Sequence, residues 1–250
     1  MRKNYLAFLF ALSILLCHST TMLGQKVFTL KSPGGNLEAN ISVGKTIEYS
    51  VSHKGDLMLD KSALSMKLTD GTALGADAKL RGTSTKTVND EISAHIYKRG
   101  KISNNYNELI LKFKGNYSII FRAYNDGIAY RFVSASKKAF IIESEQAEFN
   151  FPEDTKAYIA YANRKGSLES QYMNSFEHPY AYVSLSEWDK ERLGISPLVV
   201  ERVNGKKVCI AEADLMNYPG MFLYPGEKSN GLKGIFAPYQ KDIQQGGHNM

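Results

Sequence analysis

The sequence predicts an all-β protein built as a large antiparallel β-sandwich, and three observations lead to this class. The chain contains 12 Phe and 15 Tyr, residue types that are enriched in strands. Its 20 Gly and 7 Pro supply the residues that tight turns require. Apolar and polar side chains alternate with a period of two through much of the chain, which is typical of strands with one buried face.

Length and composition limit the domain organisation. Hydrophobic residues make up 43% and charged residues 22% of the chain, as in ordinary globular proteins. The 250 residues suffice for one large β domain, but not for an additional (β/α)₈ barrel, which alone takes roughly 250 residues. The net charge of +6 is scattered without a Lys/Arg cluster, so we expect no nucleic-acid partner.

Residues 1–24 have the features of a secretory signal peptide. A positive segment at residues 2–3 precedes the apolar run Leu6–Cys17, and Gly24 offers a cleavage point. The run is too short to span a bilayer, so no transmembrane segment is expected. The sequence therefore predicts a periplasmic or secreted protein whose single mature domain covers residues 25–250.

Cys209 is the only cysteine outside this leader. An exported domain with one thiol has no internal disulfide and must depend on its core for stability. Cys209 lies in the apolar run Val208–Ala211. We therefore expect a buried, unreactive thiol.

The first half of the mature chain predicts a series of strands. Alternating apolar positions at 37–43, 47–51 and 64–68 are separated by turn signals at Lys54–Asp56 and at Asp70-Gly71.

The clearest alternation follows and predicts a three-stranded meander. Its strands are centred on 109–113, 119–123 and 128–132, and Gly115-Asn116 and Asp126-Gly127 separate them. Such pairs tolerate the positive φ angles that tight hairpins demand.

The second half mixes one more hairpin with less regular chain. Asn204-Gly205 predicts a hairpin turn between 199–203 and 207–211. Ser186–Leu193 predicts two helical turns. Gly166–Tyr182 shows neither a period of 2 nor one of 3.6, and long irregular segments in compact domains are usually functional loops.

Catalytic motifs with fixed spacing are absent from the sequence: it has no metalloprotease, nucleophile-elbow, phosphate-loop or paired-cysteine pattern. The irregular segment instead contains Glu169, Gln171, Tyr172, Glu177 and His178. Carboxylate and amide oxygens beside aromatic rings suit calcium or a sugar. A solvated loop with packed tyrosines is the alternative.

Two further patches combine polar and aromatic residues. Glu212–Gly220 places acids after an apolar strand, which is also an ordinary strand-end arrangement. Asn104–Glu108 precedes the meander, and turn formation alone would account for it.

At these patches the chain resembles the amino-terminal module of glycoside hydrolase family 97. The resemblance covers nearly the whole mature chain and rests on motifs in a fixed order: the opening Ser32-Pro33 to Leu37, Asn105-Tyr-Asn-Glu-Leu109, Arg122-Ala-Tyr-Asn-Asp-Gly-Ile-Ala-Tyr-Arg131, the Glu169–Tyr172 loop, Glu212-Ala-Asp-Leu215, Tyr218-Pro-Gly220, Gly234-Ile-Phe-Ala-Pro238 and Gly247-His-Asn249.

The resemblance implies a fold, an activity and a site. Family members are exported α-glucosidases or α-galactosidases, whose amino-terminal β-super-sandwich resembles galactose mutarotase and packs on a catalytic (β/α)₈ barrel. Calcium in the active site is held by barrel glutamates plus one glutamate from the sandwich, which Glu169 matches. Tyr172, Glu212 and His248 are the residues we then expect to contact the sugar of an α-linked oligosaccharide.

The sequence also departs from the family pattern. The barrel that carries the catalytic residues is missing, and the chain stops at Met250, before the last sandwich strands that the pattern would supply. We therefore expect an inactive scaffold module with weak calcium affinity. A free-standing carbohydrate-binding sandwich and a mutarotase-like epimerase, which would need a convergent His and Glu, are the alternatives.

Overall fold

A computed structural model describes residues 25–173, 178–216 and 218–239. The predicted leader, Glu177, Asn217 and His248 lie outside the described residues. Within them, strands dominate. The strands are, in chain order, β1 Lys26–Lys31, β2 Leu37–Val43, β3 Ile47–His53, β4 Asp56–Leu68, β5 Ala73–Leu74, β6 Leu80–Ser93, β7 Lys101–Phe113, β8 Tyr117–Tyr124, β9 Ile128–Ser134, β10 Ile142–Asn150, β11 Lys156–Ile159, β12 Ala181–Ser184, β13 Gly194–Ile195, β14 Leu198–Glu201, β15 Lys207–Ile210, β16 Met221–Pro225 and β17 Gly231–Phe236.

The described strands form three antiparallel sheets. The largest has nine strands in the order β1-β2-β3-β4-β10-β17-β16-β13, with β5 paired to β4. The two smaller sheets have the orders β6-β7-β8-β9 and β12-β11-β14-β15. The sheet β6-β7-β8-β9 contains the predicted meander, and residues Gly115 (φ +93°) and Asn116 (φ +58°) make the turn between β7 and β8.

One hydrophobic core joins the three sheets, so the predicted sandwich is confirmed. Period-two burial places Ile41 and Ile47 of the large sheet and Leu111 and Phe121 of the meander inside this core. The Tyr49 ring lies 6.1 Å from the Phe121 ring across the two layers. No helix among these described residues has the length and apolar character needed to cross a membrane.

The predicted burial of Cys209 is wrong. Strand β15 alternates, and Ile210 faces the core whereas the Cys209 side chain is exposed. An apolar run of four residues does not reveal which parity faces inward, because β15 is an edge strand with one solvated face.

The predicted helix at Ser186–Leu193 is also wrong. The structure has a single 3₁₀ turn at Leu185–Glu187 and then irregular chain. Trp188 is buried there, and its indole Nε1–H donates to the Arg192 carbonyl at 3.0 Å. This tertiary anchor ends the turn where intrinsic preferences would continue it.

Candidate functional site

A short helix, α1 (Leu168–Tyr172), occupies the segment that sequence analysis left irregular. Ser167 precedes it as the N-cap, and its hydroxyl accepts the Ser170 N–H at 3.4 Å. The Ser170 hydroxyl donates in turn to the Ser167 carbonyl at 2.8 Å. Polar capping therefore shapes this helix, which is too short to persist by itself.

Gln171 fixes α1 to the protein. Its side chain is 3% exposed, and its Nε2 donates to the carbonyls of Gly166 at 3.1 Å and Glu191 at 3.2 Å. Its Oε1 accepts the Leu193 N–H at 2.7 Å. Both amide hydrogens and one acceptor position of the buried Gln171 side chain are used within the fold, so Gln171 is a structural residue.

Glu169 differs from Gln171 both in its exposure and in its hydrogen bonding. It lies in the first turn of α1, its side chain is exposed, and no hydrogen bond or ion pair reaches its carboxylate from the described residues. Its charge, together with the larger effect of partial burial, raises the pKa of Tyr172. Glu169 is thus an exposed carboxylate without a described partner, on a helix that Gln171 anchors to the protein.

Tyr172 connects α1 to the large sheet. Its ring lies 5.3 Å from the ring of Phe222 in β16. The residue before Phe222, Met221, donates its N–H to both carboxylate oxygens of Glu212, each at 2.9 Å. The predicted site residues Tyr172 and Glu212 therefore contact two successive residues at the start of β16, Phe222 through its side chain and Met221 through its backbone N–H.

Glu145 belongs to the same place, although sequence analysis missed it. Its Oε2 accepts the Tyr218 hydroxyl at 2.6 Å. Burial, and then the charge of Glu212, raise the pKa of Glu145. Burial also raises the pKa of Glu212, against the opposing effect of the Met221 N–H. No local signal could have pointed to an inward carboxylate here, because residues 143–146 of β10 are all polar.

Tyr218 closes this group. Its ring packs edge-on against Phe236 at 5.8 Å, and burial together with Glu145 raises the pKa of its hydroxyl. The phenol of Tyr218 and the two carboxyls of Glu145 and Glu212 provide a hydrogen-bond donor and several acceptors, which suits hydroxyl-rich ligands. No described histidine hydrogen-bonds to Glu145 or Glu212, so the epimerase arrangement is not assembled by the described residues.

The donor set fits calcium only in part. Within residues 25–173, 178–216 and 218–239, no three His, Cys, Asp or Glu side chains converge closely enough to hold a metal. Ca²⁺ takes six to eight oxygen ligands. Glu169 suits one of them, because an exposed carboxylate without partners needs no internal bond broken before it coordinates.

The third predicted patch, Asn104–Glu108, is not a turn but part of strand β7. Glu108 is 2% exposed, and its carboxylate receives Arg122 Nε at 2.7 Å and Lys86 Nζ at 3.3 Å. The Arg122 guanidinium also lies 4.5 Å from the centre of the Tyr106 ring. These groups satisfy one another and leave little capacity for a ligand.

Other motif residues likewise tie layers together. Asn107 Nδ2 donates to the Lys31 carbonyl at 2.8 Å, and Asn125 Oδ1 accepts the Gly34 N–H at 2.6 Å. A Cβ at Gly34 would lie 2.9 Å from that same Asn125 oxygen. These bonds join the opening segment to the meander motifs in the folded protein.

Comparisons with known proteins point to one family. The family model for the glycosyl-hydrolase 97 N-terminal domain matches residues 30–240. A retaining α-galactosidase of Bacteroides thetaiotaomicron is 44% identical over 96% of this chain, and a probable retaining α-galactosidase of Streptomyces bingchenggensis is 24% identical over 73%. The chain spans 37% and 27% of the length of these two relatives.

Solved structures support the fold. A family 97 glycoside hydrolase from Pseudoalteromonas, determined with acarbose, aligns with a TM-score of 0.71 at 23% identity, over 84% of this chain and 32% of its own. A β-arabinopyranosidase aligns with a TM-score of 0.72 at 22% identity, over 84% of this chain and 35% of its own. From the family match over residues 30–240, the chain belongs to the glycosyl-hydrolase 97 N-terminal family.

Proposed function

We propose that this chain is the carbohydrate-site-forming N-terminal module of an exported, calcium-dependent α-glycosidase. It packs on a catalytic (β/α)₈ barrel and is inactive without it. The observation that carries the proposal is the contrast inside α1, where the buried Gln171 side chain bonds to three backbone groups while Glu169 is exposed and has no partner among the described residues. A helix held this firmly presents one carboxylate to a neighbouring domain at a defined position.

In this proposal Glu169 supplies one oxygen donor to a calcium ion whose other ligands come from the catalytic portion. Calcium bound there would polarise and orient the sugar and its attacking group. Tyr172 and Glu212 line the sugar side of the same site, with His248 as a third contact. Tyr172 offers a ring face for stacking, and Glu212 remains anchored to β16 through Met221.

An α-galactoside is the substrate class we favour. Both curated relatives are named as retaining α-galactosidases, or probable ones, and the more similar is 44% identical to this chain. An α-glucoside is the second candidate.

A fusion protein tests the metal proposal. This chain is joined to the part of the Bacteroides thetaiotaomicron relative that lies outside the match, and calcium is titrated by calorimetry and by hydrolysis of an aryl α-galactoside. Replacement Glu169→Gln should weaken calcium binding about tenfold or more, since even indirect partners of a bound metal are worth 10- to 100-fold.

Glu227→Gln is the matched control. Glu227 is also exposed and without a described partner, but it lies beyond Pro225, at the other end of β16 from the site. Its replacement should leave calcium affinity unchanged. If Glu169→Gln and Glu227→Gln give the same affinity as the parent fusion, Glu169 is not a calcium ligand.

Export to the periplasm or beyond has its own test. The whole chain is expressed in a Gram-negative host, and the protein is recovered from the periplasmic fraction. N-terminal sequencing should begin at Gln25, because cleavage follows Gly24. Protein confined to the cytoplasm with an intact leader would contradict the proposed export.

A further inference from the structure

Strand β6 is an unusual edge. It runs for 14 residues, whereas the mean strand has about 5–6. One side pairs with β7 from Leu80 to Ser93, and on the other side no strand of the described residues pairs with it. Natural proteins keep open edges short or interrupt them, because a long row of free N–H and C=O groups recruits another strand.

Along the outer half of β6, the described part of the sheet consists of β6 and β7 alone. Strand β8 pairs with β7 only as far as Tyr106, which faces Val88 of β6. Residues 89–105 therefore form a ribbon of two strands that projects about 20 Å from the sheet. A two-stranded ribbon is marginally stable when solvated on both faces, so this one has a reason to acquire a partner.

We propose that β6 pairs with β6 of a second copy of this chain, so that two meander sheets join into one continuous sheet across a two-fold axis. A two-fold axis makes such pairing antiparallel and self-complementary. Strand addition of this type is a recurrent mode of recognition, in which backbone hydrogen bonds supply the affinity. This proposal does not depend on the glycosidase assignment.

Backbone geometry restricts the register. The N–H and C=O groups of successive residues in β6 alternate between the β7 side and the open side. Opposed residues of an antiparallel pair must both point toward the partner or both point away. The two-fold axis must therefore pass through a residue, which then faces its own copy, rather than between two residues.

Charge favours one of these registers, because only an axis at Val88 opposes unlike charges within β6 without also opposing like charges. An axis at Lys86 would place two lysines face to face, and an axis at Asp90 would oppose two aspartates, both of which are unfavourable. An axis at Val88 places Lys86 opposite the partner's Asp90, twice by symmetry. Lys86 also reaches Glu108 at 3.3 Å, but its side chain is more than half exposed. On pairing, Asp90 would exchange its hydrogen bond from the Glu91 N–H for the partner's lysine, and that N–H would donate to the partner strand. The same axis also aligns about eleven residue pairs, which is enough for about ten backbone hydrogen bonds.

Disulfide trapping tests this register. All variants carry Cys17→Ser and Cys209→Ser, so that any added cysteine is unique. Val88→Cys should give a covalent dimer under mild oxidation, because opposed residues lie about 4.5–5.5 Å apart, within disulfide reach. Thr85→Cys is the matched control and should remain unlinked, since its two copies would be separated by about 20 Å.

Sedimentation of the unmodified chain completes the test. We expect twice the mass of the single chain at high micromolar concentration. Asp90→Lys should shift the protein toward monomer, because it places a lysine opposite the partner's Lys86 at both symmetry-related positions. A monomer at this concentration would overturn the proposal. So would a dimer in which Val88→Cys fails to crosslink, or in which Thr85→Cys crosslinks equally well, since either result places the contact elsewhere.

Discussion

Glu108 and Glu169 both lie in motifs that mark the family, yet their surroundings are opposite. Glu108 is 2% exposed and holds Arg122 and Lys86 on its two oxygens. Glu169 is exposed, and no described residue neutralises it. The carboxylate of Glu108 is engaged in ion pairs inside the protein, whereas the carboxylate of Glu169 faces solvent.

This comparison shows how a domain can retain acidic residues for two physical reasons. A buried carboxylate is tolerated only when cations and donors compensate its lost hydration. An exposed carboxylate costs little, so its position must be maintained by its mounting, which here is Gln171. Function is therefore expected where the support is buried and the charge is left free.

Replacing Glu108 and Glu169 in turn should give the largest difference in stability between two variants. Glu108→Ala leaves the Arg122 guanidinium without its main partner, and we expect a loss of about 3 kcal/mol in the free energy of unfolding. Glu169→Ala should change it by less than about 0.5 kcal/mol. Urea denaturation of the two variants measures both. Equal losses would show that the two environments do not differ energetically.

Loss of the Gln171 hydrogen bonds that anchor α1 should have the next largest effect on the free energy of unfolding. Gln171→Ala leaves the buried Leu193 N–H without an acceptor, so we expect a loss of about 2 kcal/mol. In the fusion with a catalytic portion it should also weaken calcium binding, because Glu169 is no longer held in place. Gln146→Ala, at an exposed position of β10, is the control and should affect neither quantity substantially.

The smallest expected effect concerns pH. Burial raises the pKa of Glu145 in the folded protein above its unfolded value, so the native state binds more protons between those values. Its stabilising contribution is present at acid pH and is lost as the pH rises through the folded pKa. Glu145→Gln should remove this loss.

Melting temperatures measured from pH 4 to pH 8 test this sign. The Glu145→Gln variant should gain on the parent protein as the pH rises. Glu143→Gln is the control, because Glu143 lies on the same strand as Glu145 but is exposed and pairs with Lys67 of β4. If the melting temperatures of Glu145→Gln and the parent differ by the same amount at every pH, the pKa of Glu145 is not raised in the folded protein.

Much of the fold could be predicted because its signals are local. Gly115-Asn116 fixes a hairpin through the φ angles it permits, and the flanking alternation then sets both strands. Cys209 was misjudged because a short apolar run on an edge strand does not state which face is buried. The helix expected near Ser186 failed because a distant packing site for Trp188 overrides local preference.

The site was predictable only where the family motifs carry it. Tyr172 and Glu212 are 40 positions apart in sequence, and both reach the start of β16 only through tertiary contacts, with Phe222 and Met221. Glu145 has no motif, and its role follows from a contact with Tyr218 that spans 73 residues. Conversely, the Asn104–Glu108 motif suggested a turn, although its residues serve a structural joint within β7.

The most direct measurement compares the isolated chain with its fusion to a catalytic portion, assayed with aryl α-galactosides and α-glucosides in calcium. We predict no turnover by the chain alone and calcium-dependent hydrolysis by the fusion. Calcium-dependent hydrolysis by the purified 250-residue chain would contradict the proposal that it is a scaffold whose chemistry resides in a partner domain.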